Sequence, residues 1–537
     1  MKRPWLAFYP EAIPHEITAP SISIYHILSD STELVPNNVA VIQDDIETTY
    51  TDLKRYVDCL ASSLAEGGFK KGDLLAIMLP NCIEYIIAFF AVQRLGGIVV
   101  QVNPMYQPRE LEHILEDSGA SWFVTYQEQV EKLEKIGYLN ELNLIIADGA
   151  TTEKNHLYSM IKRGKNPPPA ADVDAENDVA ILQYTGGTTG RSKGVMVTHH
   201  NVISNLYQIM AQGAATADEN ENITPRGLGI APMFHAMGLT GMSLTIFAGG
   251  TFIPIKRFVL DEVVECIKKY RPTSFSGSPT MYIALLNHPR ITSEDLQSIK
   301  TYSSGSAPLS VEVMTRFEEI SKNSISEGYG LSEATTMVTK NPSVGVRKPG
   351  SVGIPVSSTD CRIVDVETGL EDVETGQTGE LIIKGPQVMK GYWKNEEETA
   401  KALRDGWLYT GDLAVMDEDG YIFIVGRKKD MIIASGYNIY PIEIEEVLYK
   451  MPQVKEVCVY GVPDPYRGET VKAAILLKDN AVLTEQEVED WCNQNLARYK
   501  VPRQIEFWDE LPKTAVGKIL RTKLIEMEKE KLAEKKN

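Results

Sequence analysis

The chain has 537 residues, 43% hydrophobic and 24% charged, a balance that excludes disorder and fits a folded enzyme. At roughly 150 residues per unit, this length implies about three to four domain-sized pieces. A formal net charge of -19 excludes a general attraction to nucleic acid, so any phosphate ligand must be held by a local site.

Read from the start, Pro4, Pro10 and Glu11 break up any signal-peptide apolar region. From about residue 50 the pattern alternates. TDLKRYVDCLASSLAEG carries apolar residues at helical spacing, LLAIMLP is a strand-length run, EYIIAFFAVQRLGG is helical, and IVVQVNP is a strand stopped by proline. RELEHILEDSGASWFVTY repeats helix then strand, which predicts a doubly wound α/β body. NPPPAADVDAEND reads as a connector. Between Gly227 and Ile255 no residue is charged, but Pro232, Pro254 and several glycines interrupt the stretch, so buried helix and strand are expected rather than a membrane span. After about residue 355, CRIVDVETG, GELIIKG and DGYIFIVG predict a β-rich subdomain extending to about 427. GRKKDMII reads as a linker. The remainder, 428–537, reads as a small α/β domain with helices IEIEEVLYKM and EQEVEDWCNQNL and strands VKEVCVYGV and VKAAILLK, ending in a solvated helix.

The six cysteines form no C-x-x-C pair, which argues against a disulfide framework or a zinc site and predicts a cytoplasmic setting. Peripheral membrane contact and a homodimer stay open. Residues 184–194, YTGGTTGRSKG, have the texture of a phosphate cradle: Gly186 and Gly187 free backbone N–H groups to turn inward, Thr185, Thr188 and Thr189 add hydroxyls, and Lys193 adds charge. Ser192 precedes Lys193 and Gly194 follows it, so the Walker A order is absent.

In chain order this loop is followed by SSGSAPL (303–309), GYGLSEATT (328–336), GWLYTGD (406–412), GRKKDMIIASGYNIYPIEIE (426–445) and PKTAVGKILR (512–521). Together, from about residue 30 to 525, these motifs resemble the adenylate-forming superfamily of acyl-CoA ligases, luciferases and peptide-synthetase adenylation domains. The resemblance implies ATP, Mg2+ and coenzyme A as the small molecules handled. It places Thr188 and its loop on the β and γ phosphates and Glu333 on magnesium, beside Ser332, which stands where threonine is more usual. It puts Gly305, Ser306, Ala307, Tyr329 and Gly330 around the adenine, Asp412 with Arg427 on the ribose, and Lys518 between the attacking carboxylate and the α-phosphate.

Taken alone, Lys518 would be a surface lysine and Asp412 or Asp430 a turn residue; the motif around each supplies the functional reading. The same resemblance makes the C-terminal domain mobile, with Lys429 as hinge and Ser435, Gly436 and Tyr437 as the loop on the coenzyme A side. His235 is either a packed core residue or the mouth of an acyl pocket that continues through Met237 and Gly238. With no carrier segment expected after residue 525, a free-standing ligase is favoured over a peptide-synthetase module. YPEAIPHEI and GSPTMYIALLNHP resemble bacterial fatty acid-CoA ligases, so a long or medium fatty acid is the expected substrate. An aryl or short-chain acid is the alternative, and a catalytically silent acyl or nucleotide binder the remoter one.

Overall fold

The computed structural model describes residues 3–149, 153–185, 192–214, 224–305, 309, 311–434, 437–464, 466–514 and 517–534. The alternation read between residues 50 and 146 folds as one half of the body. Strands Leu74–Met78, Ile98–Gln101, Trp122–Thr125 and Asn143–Ile146 lie parallel in a seven-stranded sheet, which is extended by Val179–Thr185, Lys193–Thr198 and Gly391–Tyr392. A second, nine-stranded sheet is built around the parallel strands Ile325–Gly330, Thr301–Ser304, Ser274–Gly277, Arg226–Gly229, Thr251–Pro254 and Val39–Gln43.

Helices lie between the two sheets, and their composition shows it. Ile83–Arg94 is apolar around its whole circumference and every residue of it is buried, as a helix covered on all sides must be. Side chains from both sheets, such as Leu75, Ile77, Ala40 and Phe252, meet in that one core. The uncharged stretch Gly227–Ile255 is the strand, helix and strand expected of it, Arg226–Gly229, Ala236–Phe247 and Thr251–Pro254. The helix lies so close on its strand that a Cβ on Gly227 would come within 2.3 Å of Thr245 Oγ1. Among the described residues no helix is long and apolar enough to cross a membrane.

The β-rich segment is an antiparallel five-stranded sheet of Asp360–Val364, Gly379–Lys384, Leu403–Arg404, Trp407–Met416 and Ile422–Arg427. The basic run after it is shorter than a linker. Strand Ile422–Arg427 passes through a single 3-10 turn, Lys428–Asp430, straight into strand Ile432–Ala434. That strand opens a fourth sheet, with Tyr437–Ile439, Gly468–Leu477, Val454–Asp464 and Gln504–Trp508, which has its own core of Ile432, Ile444, Leu448, Val471, Ile475 and Cys492. The terminal helix Arg521–Glu534 is anchored by Leu524, buried against the cluster of Cys458, Tyr460 and Leu511. All six cysteines are free.

Glu327, on the strand that leads to the Tyr329 segment, accepts a hydrogen bond from Leu309 N at 3.3 Å while its Oε2 is buried without a partner. Burial raises its pKa from 4.5 to about 7. Because the folded-state value lies above the unfolded one, the native state holds the extra proton between those two values, and stability falls as pH rises through that window. Glu327→Gln removes the charge and so removes the decline. The variant's thermal midpoint is expected to gain on the wild type from about pH 5 to about pH 8, by a free energy on the order of 2–3 kcal/mol; a constant difference across that range would contradict the assignment.

Candidate active site

The two large sheets, the β-rich sheet and the C-terminal unit enclose one cavity of about 2850 Å³. A pocket for a single small ligand spans about 300–1,000 Å³, so this volume is enough for several substrates at once. Thr185, Lys193, Gly305, Tyr329, Gly330, Ser332, Glu333, Asp412, Arg427, Lys429 and Lys518 all line it. Gly186, Gly187, Thr188, Thr189, Ser306, Ala307, Ser435 and Gly436 lie outside the described residues, and Tyr437 is described only as backbone in strand Tyr437–Ile439.

The glycine-threonine loop joins two antiparallel strands, Val179–Thr185 and Lys193–Thr198, with Thr185 opposite Lys193. Lys193 makes an ion pair with Glu398 and lies 5.0 Å over the ring of Tyr392. The Tyr392 hydroxyl donates to Glu333 Oε1 at 3.0 Å. These contacts tie the phosphate-loop hairpin, the GYW segment and the short 3-10 turn Ser332–Ala334 into one wall. Glu398, hydrogen-bonded first to Lys193 and then to Lys401, has its pKa lowered to about 2. The Tyr392 phenol is pushed up by burial and by the Glu333 charge, so it stays a donor.

On the opposite wall, Asp412 is 4% exposed and its two oxygens have different partners. Oδ1 faces Arg427 Nε at 3.0 Å, and Oδ2 accepts from the Tyr329 hydroxyl at 2.6 Å. Each oxygen keeps a free lone pair, so the carboxylate has room for two more hydrogen bonds. Backbone register places it: Asp412 and Arg427 are cross-strand partners at the end of the β-rich sheet.

Lys518 reaches the cavity from the C-terminal unit. Its loop is folded by Thr514, whose Oγ1 accepts from Lys518 N at 3.2 Å and whose N donates to Lys518 O at 2.7 Å. Gly517, at φ +77, sits against the body: a Cβ there would lie 2.9 Å from Thr280 Oγ1. Burial and the Arg427 charge lower the Lys518 pKa, with Asp412 opposing. Lys429 is lowered to about 8, chiefly by burial and then by Arg427.

The Lys518 loop is held to the 3-10 turn Lys428–Asp430 by Arg521. Its Nη1 donates to Asp430 at 2.7 Å, its Nη2 to Glu445 at 2.7 Å and its Nε to Val459 O at 2.9 Å. Arg521 lay inside a quoted motif but nothing in its spacing gave it this role; Tyr392 and Glu398 carried no sequence signal at all.

His235 precedes the helix Ala236–Phe247 and faces the cavity with its surface exposed there, the surrounding protein lowering its pKa. It therefore sits at the cavity wall and is not enclosed in the core. Met237 lines the cavity too. Gly238 does not join them. A Cβ there would fall 2.2 Å from Pro232 O and 2.4 Å from Ala231 O, so its small size serves the packing of helix on chain.

Both absent small-molecule partners can be tested against this donor set. Asp412 with spare lone pairs, Lys518 and Arg427 fit a nucleotide. Among the described residues no cluster of three acidic, histidine or cysteine side chains could cage a metal. Glu333 alone fits magnesium in the usual way, with one carboxylate completed by substrate phosphates and water.

Residues 28–393 match the family model described as AMP-binding enzyme, and residues 443–518 match the AMP-binding enzyme C-terminal domain. The long-chain-fatty-acid–CoA ligase of Bacillus subtilis is 44% identical over 98% of this chain and 99% of its own length. The feruloyl-CoA synthase of Amycolatopsis sp is 38% identical over 90% of this chain and 95% of its own. MatB from Rhodopseudomonas palustris in its ATP-bound form superposes with a TM-score of 0.87 at 30% identity, covering 94% of this chain and 98% of that one. Its apo form gives 0.76 at 31% identity and the same coverage. The chain belongs to the AMP-binding enzyme family, the adenylate-forming ligases.

Proposed function

We propose that this protein is an ATP-dependent fatty acyl-CoA ligase. The observation that carries the reading is Lys518, delivered from the C-terminal unit into a cavity that also holds Glu333, Asp412 and Arg427. In the first step an oxygen of the fatty acid carboxylate attacks the α-phosphorus of ATP, the bond to the bridging oxygen breaks, and pyrophosphate leaves. Two anions must meet for this to happen, and the Lys518 ammonium on the cavity wall can offset both charges. Asp412 holds the ribose hydroxyls on its remaining lone pairs, Tyr329 and Gly330 flank the adenine, and Glu333, oriented by Tyr392, would hold magnesium. Bound magnesium would neutralise charge on the departing pyrophosphate. Thr188 and its neighbours take the β and γ phosphates.

In the second step the thiol of coenzyme A attacks the acyl carbonyl carbon, the carbon–oxygen bond to phosphate breaks, AMP leaves and the thiol proton is released. Lys518 is then in the way. The reading divides the chain at 427, with the unit from 428 turning about Lys429 so that Lys518 withdraws and the Ser435–Gly436–Tyr437 loop comes forward. The better match to the ATP-bound form of MatB than to its apo form supports taking the present arrangement as the one for the first step.

The test is AMP release with ATP, magnesium and coenzyme A across acetate, octanoate, palmitate, benzoate and coumarate. A maximum on the alkyl acids is expected; a maximum on the aryl acids would keep the mechanism and overturn the substrate. Lys518→Ala is expected to abolish acyl-adenylate formation while acyl transfer from supplied acyl-adenylate continues, and equal loss of both would refute the division of labour. Tyr392→Phe leaves Glu333 unoriented. The magnesium concentration for half-maximal AMP formation should rise about 2- to 10-fold, the equivalent of one net hydrogen bond; an unchanged magnesium requirement would detach Tyr392 from that role.

A further inference from the structure

Lys340 ends the strand Met337–Lys340 with only 6% of its surface exposed, and it lines the cavity. Its ammonium makes no hydrogen bond or ion pair with any described residue, and burial alone pushes its pKa down to about 8. Nothing in the two steps above uses it.

Strand register fixes the direction of the side chain. Lys340 lies opposite Gly328, so both project from the same face of the sheet. Two residues back on that face is Ser326, which pairs with Ser303, and Ser303 pairs with Ser276. A Cβ on Gly305, next on the Ser303 face, would touch Met237 Cε at 3.7 Å, so the whole row is turned toward the helix Ala236–Phe247. Val338, on the same face as Lys340, packs into the core beneath the helices.

Between that helix and the sheet, then, the side chains shrink to serine and glycine and leave a chamber. Met237 and Leu244 line it on the helix side, the hydroxyls line it on the sheet side, and an ammonium stands at one edge. A plain alkyl chain laid along this chamber would strip water from the Lys340 ammonium and give it no partner, which is costly for a buried charge. An acid with a second carboxylate would supply the missing partner and a hydrogen-bond acceptor for Ser303 and Ser276, the Ser326 hydroxyl already donating to Asn341 O at 2.7 Å.

We propose that Lys340 is a specificity determinant that receives a second carboxylate carried on the acyl chain, so that the chamber prefers α,ω-dicarboxylic acids over monocarboxylic acids of equal length. This rests on the acyl-CoA ligase reading. Lys340 takes no part in either bond-making step and acts only on which acid is bound.

The experiment pairs mono- and dicarboxylic acids from hexanoate and hexanedioate to hexadecanoate and hexadecanedioate. AMP formation is measured with wild type, Lys340→Met and Lys340→Gln. The wild type should show its highest kcat/KM on a dicarboxylate of one particular length, which then gauges the span from Lys340 to the reacting carboxylate. In both variants the ratio of dicarboxylate to monocarboxylate kcat/KM at that length should fall on the order of tenfold or more, chiefly through KM. Thermal midpoints identify a variant that has merely unfolded; removing an unpaired buried charge should raise the midpoint. If the wild type prefers monocarboxylates at every length, or if the ratio is the same in wild type and variants, the inference fails while the ligase reading stands. If no acid releases AMP, the ligase reading fails. Calorimetric titration of the dicarboxylates into wild type and Lys340→Met then decides on Lys340 alone, equal affinity overturning it and weaker binding to the variant supporting it.

Discussion

Positive charge gathered on the wall of one cavity is the constraint around which this molecule is organised. Lys518, Lys429 and Lys340 all line one cavity with pKa values below the ordinary lysine range; Lys340 is buried outright, while Lys518 and Lys429 keep exposed surface and are lowered by partial burial and by the Arg427 charge. An ammonium buried as Lys340 is, at 6% exposure, destabilises the empty fold, because desolvation is offset only when an anion arrives. A ligand site that must bring carboxylate and phosphates together has use for that instability. The same low dielectric that makes these lysines costly strengthens each attraction once the anions are bound.

The remaining polar groups of the site are arranged so that the cations are not quenched by the protein itself. Asp412 acts on the Lys518 charge, yet each of its oxygens already has one partner, Arg427 or Tyr329, and makes no direct ion pair with Lys518. Lys193, by contrast, is paired with Glu398 and leans on Tyr392. A phosphate entering beside the glycine-threonine loop therefore meets a lysine that must exchange a carboxylate for it. That exchange favours a polyanion over a single weak anion, since only a strongly charged ligand competes with a carboxylate in direct contact.

Much of this architecture was legible in the sequence, for physical reasons that differ by region. The helix and strand alternation from Tyr50 to Ile146 follows from apolar period, and Ile83–Arg94 declared its burial by having no polar face. The motifs located Tyr329, Asp412, Arg427 and Lys518, because a backbone turn or strand end leaves a strong local pattern. Partnerships across long sequence separations left none. Tyr392 on Glu333, Glu398 on Lys193 and Arg521 on Asp430 join residues 59, 205 and 91 positions apart, and only the folded sheets bring them together. Gly238 illustrates the reverse error: a glycine inside an apolar stretch looked like pocket space, but its hydrogen is needed against the backbone at Ala231 and Pro232. The basic run after Gly426 reads as a linker from its charge, and the folded chain makes it a single short turn, with cross-strand pairing continuing through Arg427 before it.

The shortness of that connection bears on how the C-terminal unit can move. One 3-10 turn, Lys428–Asp430, separates two strands that belong to different sheets, so a rotation has to be absorbed by very few dihedral angles. Arg521 binds Asp430 within the turn and Glu445 on the first helix of the C-terminal unit, and it sits three residues from Lys518. The guanidinium thus couples the turn to the loop that carries Lys518. A rotation that changes the turn must either carry Arg521 along with Glu445 or break its bond to Asp430, and the second course strands a carboxylate that is largely shielded from solvent. The ion pair therefore favours discrete positions of the unit over a continuum, as the proposed two-step reaction, with Lys518 used only in its first step, would require.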